Sequence, residues 1–162
     1  MEGISIQNVQ NFRICRTACH TAGVIRDLGK TSWAVAYILR MVRGERHLSL
    51  RQLSVAMTEA GHPMSHSTLS EIERGDRRVT VDDLTALSAA LGIAPVTFLI
   101  PVQRDDPQPD PDEAVALTGT PEVSLHHLVD WVRGDTPLNS TNDEHDIETF
   151  RRGALPRWLW KD

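Results

Sequence analysis

The chain has 162 residues, room for one ordinary domain plus extra segments, and its 40% apolar content is enough to build a core. The net charge of −5 is unevenly spread. Residues 1–30 hold four basic and two acidic groups, residues 31–100 seven of each, and residues 101–162 six basic and thirteen acidic. No apolar run approaches the roughly 18 residues that span a bilayer, and the N-terminus lacks the charged-then-apolar order of a secretory signal. A cytoplasmic protein with no membrane partner is expected.

Residues 1–30 hold neither period 2 nor period 3.6 for long, and Gly23 and Gly29 interrupt what there is. A flexible N-terminal arm is expected there, with a short helix near Val9–Cys15 as the alternative. Cys15, Cys19 and His20 cluster in this stretch. A structural zinc site needs four ligands, usually from two separated pairs, and no matching pair is visible. Reduced thiols, no metal and no cofactor are expected.

From Ser32 onward the pattern is helical, and residues 31–101 are expected to form one domain. Ala34, Ile38 and Met41 recur at i, i+4, i+7 and define the inner face of a first helix. Ser49 suits the N-cap of a second helix, with Leu53, Met57 and Ala60 inward; Gly61, His62 and Pro63 end it. Ser65 caps a short third helix with Leu69 and Ile72 inward, stopping at Gly75. Thr80 stands three residues before Asp83, a variant of the capping box that opens a fourth helix. Leu84, Leu87 and Leu91 share one face of that helix, and Gly92 closes it. Ala94-Pro95 begins a fifth helix bearing Val96, Leu99 and Ile100.

Beyond Pro101 the composition turns rich in proline and aspartate, and residues 102–113 read as an extended linker. Residues 114–162 are expected to be a small, partly helical segment for dimerisation or partner docking. Val123, Leu125, Leu128, Val129 and Trp131 fall on one helix ended by Gly134, and Asn139 to Glu148 reads as loop. Leu155, Trp158, Leu159 and Trp160 make the chain's end aromatic-rich.

The second and third helices carry the most information. A DNA-reading helix pair needs one helix that crosses the phosphate backbone and a second that enters the major groove. The groove side must be small and polar, and the opposite side apolar enough to dock. With Leu69 and Ile72 inward, the segment from Ser65 to Gly75 leaves Ser65, His66, Ser67, Ser70 and Glu71 outward. His62 and His66 have the i, i+4 spacing of metal ligands, but Pro63 separates them across a turn. They read as a loop histidine and a DNA-facing one.

Three motifs in order, Leu48-Ser-Leu-Arg-Gln-Leu-Ser54, Ser65-x-Ser-Thr-Leu-Ser-x-Ile-Glu-Arg-Gly75 and Val81-Asp-Asp-Leu-x-Ala-Leu-x-x-Ala-Leu-Gly-Ile93 with Pro95, resemble the lambda-repressor/Cro-type (xenobiotic-response-element) family. The resemblance covers about 70 residues. The connection from Met57 to Ser65 is longer than the family's usual tight turn. A longer connection, Arg77-Arg78-Val79 and the ending at Pro101 resemble an actinobacterial and actinophage-like subset, and Trp131, Gly134, Pro137-Leu138 and Ala154 to Trp158 do so loosely.

The resemblance implies an all-α fold: a five-helix lambda-repressor-like DNA-binding domain followed by the short C-terminal segment. By position it implies base contacts from Ser65, His66, Ser67 and Glu71. Glu71 would accept from a cytosine amino group and His66 donate to guanine; read without the family, Glu71 is an ordinary solvated helix residue. Arg51, Thr68, Arg74, Arg77 and Arg78 are candidate phosphate contacts, which fix register without reading sequence. Arg43 and Glu73 match a structural ion pair.

The function expected is a transcriptional regulator on double-stranded DNA: a repressor of phage-immunity or mobile-element type, acting as a homodimer. The acidic tail is a poor second DNA contact, because phosphate binding scales with the basic groups applied. The alternative is an antitoxin-like interaction protein whose tail grips a protein partner through Leu155, Trp158 and Trp160. Self-cleavage by a Ser/Lys dyad is rejected, since the only lysines, Lys30 and Lys161, lie outside any protease-like segment. No other enzymatic motif is present.

Overall fold

The computed structural model describes residues 28–101, 109–139 and 143–159. The Cys15–Cys19–His20 cluster, the alternative helix near Val9–Cys15, Trp160 and Lys161 lie outside them. Four helices come first: α1 (Lys30–Glu45), α2 (Leu50–Glu59), α3 (His66–Glu73) and α4 (Val81–Leu91), followed by a 3-10 turn at Pro95–Leu99. Two short antiparallel strands, β1 (Ala114–Val115) and β2 (Val123–Ser124), then precede α5 (Leu125–Arg133) and α6 (Glu144–Ala154), and a last 3-10 turn covers Arg157–Leu159. Among the described residues the architecture is all-α apart from that strand pair.

Local chemistry sets the helix boundaries. Ser49 and Thr80 each form a reciprocal capping box, with Gln52 and Asp83, and Ser65 accepts from the Thr68 N–H. α3 ends in a Schellman closure. Gly75 N–H reaches the Ile72 carbonyl at 2.9 Å, and Asp76 N–H reaches that of Glu71 at 2.8 Å. The same closure ends α1, but there the left-handed position holds His47, at φ 53°.

One core lies among α1–α4 and the first 3-10 turn. It is built from Val35, Ile38, Leu39, Val42, Leu53, Met57, Met64, Leu69, Ile72, Leu87, Leu91 and Phe98. A second core joins Ala34 to Val115, Leu117, Leu125 and Leu128, with Leu99 and Ile100 packed against it. α1 and the 3-10 turn therefore serve both cores. Thr31 and Thr118 add a reciprocal pair of hydrogen bonds across the junction, Thr31 N–H to Thr118 Oγ1 at 3.2 Å and Thr118 N–H to Thr31 Oγ1 at 2.9 Å.

Several expectations are corrected. The fifth helix is a single 3-10 turn whose buried residue is Phe98, because Pro95 starts it and the chain is already extended at Ile100. Ala60 is exposed, since it is the C-cap of α2 and lies past its inner face. Residues 139–148 are not all loop: Asp143 caps α6, with Glu144 and Asp146 in the first turn and Arg151 and Arg152 in the last, an order that suits the helix dipole. The start of the expected tail helix is strand, with Val123 paired to Val115. At the other end, the stretch expected as a flexible arm finishes in buried Leu28 and in Lys30, the first residue of α1.

Candidate nucleic-acid interface

α2 and α3 pack on each other and on the core through one side each. Leu53 and Met57 of α2, and Leu69 and Ile72 of α3, are fully buried. What α3 turns outward is its N-terminal end, where Ser65, His66 and Ser67 are exposed and Thr68, Ser70 and Glu71 half-buried. Ser65 Oγ accepts from the Thr68 N–H at 3.1 Å and lies 2.8 Å from Ser67 Oγ and 2.9 Å from Thr68 Oγ1. The Ser65 and Ser67 hydroxyls are therefore tied into the cap, while the His66 side chain is exposed beside them.

The candidate phosphate contacts come from α2, from α3 itself and from the residues just beyond it. Arg51 is exposed in the first turn of α2, and Arg77 and Arg78 are exposed beyond α3. Arg74, the C-cap of α3, is held along its helix: Nε donates to Asp76 Oδ2 at 2.8 Å and Nη1 donates to Ser70 Oγ. Arg74 thus lies along the polar surface of α3, while Arg51, Arg77 and Arg78 are exposed on the segments before and after it in the chain.

Arg43 and Glu73 meet in a two-pronged ion pair that joins α1 to α3. Nε donates to Oε1 at 2.6 Å, Nη2 to Oε2 at 2.9 Å, and Nη1 to the Leu48 carbonyl at 2.7 Å. The bond to Glu73 raises the Arg43 guanidinium further above its ordinary value, against the opposing effect of burial. A second tie lies beside it. The Trp33 indole covers Gly75, so closely that a Cβ added there would stand 2.6 Å from Trp33 Cη2. Gly75 also has φ 76°, so the position requires glycine twice over.

Sequence reasoning missed Trp33 and a third contact, between the α2–α3 connection and α4. His62 Nε2 lies 2.8 Å from Asp83 Oδ1, while Asp83 Oδ2 accepts from the Thr80 N–H at 3.0 Å. Burial pushes the Asp83 carboxyl up, but the hydrogen bonds from Thr80 and His62 outweigh it and hold it below the usual carboxylate range. An ionised Asp83 only accepts, so Nε2 carries the proton. The one available sequence signal was an acid at the third position of α4, which the capping box had already explained.

Among the described residues no cluster of three or more His, Cys, Asp or Glu could hold a metal ion, and no helix is long and apolar enough to cross a membrane. Residues 39–98 match the family model described as helix-turn-helix. No curated protein and no solved structure matches the chain.

Proposed function

Residues 39–98 being a helix-turn-helix domain of the lambda-repressor/Cro type, and so a DNA-binding domain of transcription regulators, we propose that the chain is a sequence-specific repressor that inserts α3 into the major groove. The observation that carries this reading is the division of α3: Leu69 and Ile72 are fully buried, while Ser65, His66 and Ser67 at its leading end are exposed and polar. In this reading His66, Ser67 and Glu71 reach base edges, with Ser65 holding the helix start beside them. Arg51, Thr68, Arg74, Arg77 and Arg78 meet phosphates. Two copies occupy half-sites about 34–36 Å apart, one helical turn. The longer α2–α3 connection favours the actinobacterial and phage-like subset, and with it a role in phage immunity or a mobile element.

Selection of bound sequences from a random duplex library tests the reading. One enriched motif is expected. Glu71→Ala should relax a single base position, worth about 1–3 kcal/mol of discrimination. Arg74→Ala should weaken all sequences alike and reduce the salt slope by about 1. A palindromic motif supports the dimer. Failure of any motif to enrich removes the repressor reading.

One observation favours a second reading. Trp158 is 80% exposed, and Leu155 lines an open groove of about 610 Å³ with Trp131, Val132 and Phe150. An antitoxin-like chain would seat a protein partner here, tryptophan being enriched at interface hot spots. Trp158→Ala would then abolish co-purification of one defined partner while leaving the selected DNA motif unchanged.

A further inference from the structure

The connection between α2 and α3 is too long to fix the direction of α3 by its own length, so its contacts must do so. α2 closes with Gly61 N–H on the Thr58 carbonyl and His62 N–H on that of Met57, both at 3.0 Å. Met64 is buried in the core, and its carbonyl accepts from Ser54 Oγ at 2.6 Å. Between these anchors, His62 reaches out of the connection to Asp83 in the first turn of α4. The Asp83 side chain is only 6% exposed and also accepts from the Thr80 N–H, while the Asp83 N–H donates to Thr80 Oγ1.

We propose that His62 and Asp83 are a positioning pair for DNA reading, clamping the α2–α3 connection to α4 and so setting the angle at which the leading end of α3 meets the groove. The inference rests on the DNA-binding reading above and deepens it. α3 is held firmly at its far end, where Glu73 grips Arg43 and Trp33 covers Gly75. Its leading end, which carries His66 and Ser67, follows a connection held on α2 by Met64 and Ser54 and on α4 by His62. With a rise of about 1.5 Å per residue, that end lies roughly 10 Å from the anchored one. A tilt of about 10° there displaces His66 and Ser67 by roughly 2 Å, more than a hydrogen bond to a base edge tolerates.

The pair is separable from the fold, because Asp83 retains Thr80 when His62 is replaced. The test compares the full-length chain with His62→Ala and His62→Gln on two duplexes, the selected sequence and a scrambled one of equal length. Anisotropy is read well below the melting temperature, with circular dichroism confirming the folded state. His62→Ala should bind the selected duplex about tenfold more weakly, the scale of one lost base contact. Binding to the scrambled duplex should stay within about twofold, since the phosphate contribution depends on charge and not on the angle of α3. His62→Gln, whose amide can donate from the place of Nε2, should recover most of the loss. Equal weakening on both duplexes, unchanged selected binding, or loss without rescue by glutamine overturns the positioning role. Wild-type protein that does not distinguish the duplexes overturns the DNA reading itself, a separate failure visible before any variant is measured.

Discussion

Replacing Arg43 by methionine keeps the aliphatic stem and removes three hydrogen bonds at once: two to Glu73 and one to the Leu48 carbonyl. Side-chain exposure is 21% for Arg43 and 9% for Glu73, so the variant strands a carboxylate that water barely reaches. Breaking a buried pair by removing one partner costs about 3–5 kcal/mol, whereas an exposed pair is worth about 1 kcal/mol or less. The pair lies nearer the buried limit on the Glu73 side, and about 3 kcal/mol is expected for Arg43→Met. Glu73→Gln keeps a carbonyl acceptor and strands the better-hydrated cation, so about 1–2 kcal/mol is expected. In Arg43→Met/Glu73→Gln no charge is left unpaired, and the two effects should fall short of their sum by about 1.5 kcal/mol or more. Urea denaturation at pH 7, followed by helical circular dichroism, measures all four corners of the cycle. Additivity within about 0.5 kcal/mol would refute the reasoning and reduce the contact to a surface ion pair.

Three further outcomes follow from single positions. His47→Gly should raise stability by about 0.5–1 kcal/mol, because the left-handed conformation at φ 53° is unfavourable for a side chain; a lower urea midpoint would count against the αL strain. Gly75→Ala meets both its positive φ and the Trp33 ring, and should lower stability by about 2 kcal/mol by the same denaturation assay. For Asp83, folding lowers the carboxyl's pKa, so its contribution is complete above the unfolded value of about 3.9 and is lost as pH falls through the folded value. Asp83→Asn should therefore cost stability at pH 7 and flatten the decline of the urea midpoint below about pH 4; an unchanged decline would show that other carboxylates carry it.

The helices of the DNA-binding domain were legible because their boundaries are written locally. Ser49, Ser65 and Thr80 bond within three residues of themselves, and Gly75 and Gly92 close helices by backbone conformation alone. α6 was not legible, because only Ile147 and Phe150 are apolar along most of its length, too few to set a period; its signal was the order of acids then arginines. β1 and β2 are two residues each, shorter than any alternation can register. The contacts that orient α3 lie at another scale. Trp33 and Gly75 are 42 positions apart and His62 and Asp83 are 21 apart, so no window of local pattern contains either pair. The Arg43–Glu73 pair, 30 positions apart, was reached only through family resemblance.

Within the stretch of seven basic and seven acidic groups, several of the acids are engaged by contacts of the domain itself. Glu73 is neutralised by Arg43, and Asp76 lies against Arg74. Asp83 is buried at the start of α4, where the positive end of the helix dipole compensates its negative charge. Meanwhile Arg51, Arg77 and Arg78 are exposed around α3. An eight-residue helix is too short to be stable alone, so α3 keeps its form through its buried packing on α2 and α1 and through the Arg43–Glu73 pair. Glu73 and Asp83 thus carry their charge in contacts that tie α3 to α1 and the α2–α3 connection to α4. Removing either acid to make the domain more basic would therefore also loosen the placement of α3 or of the connection before it.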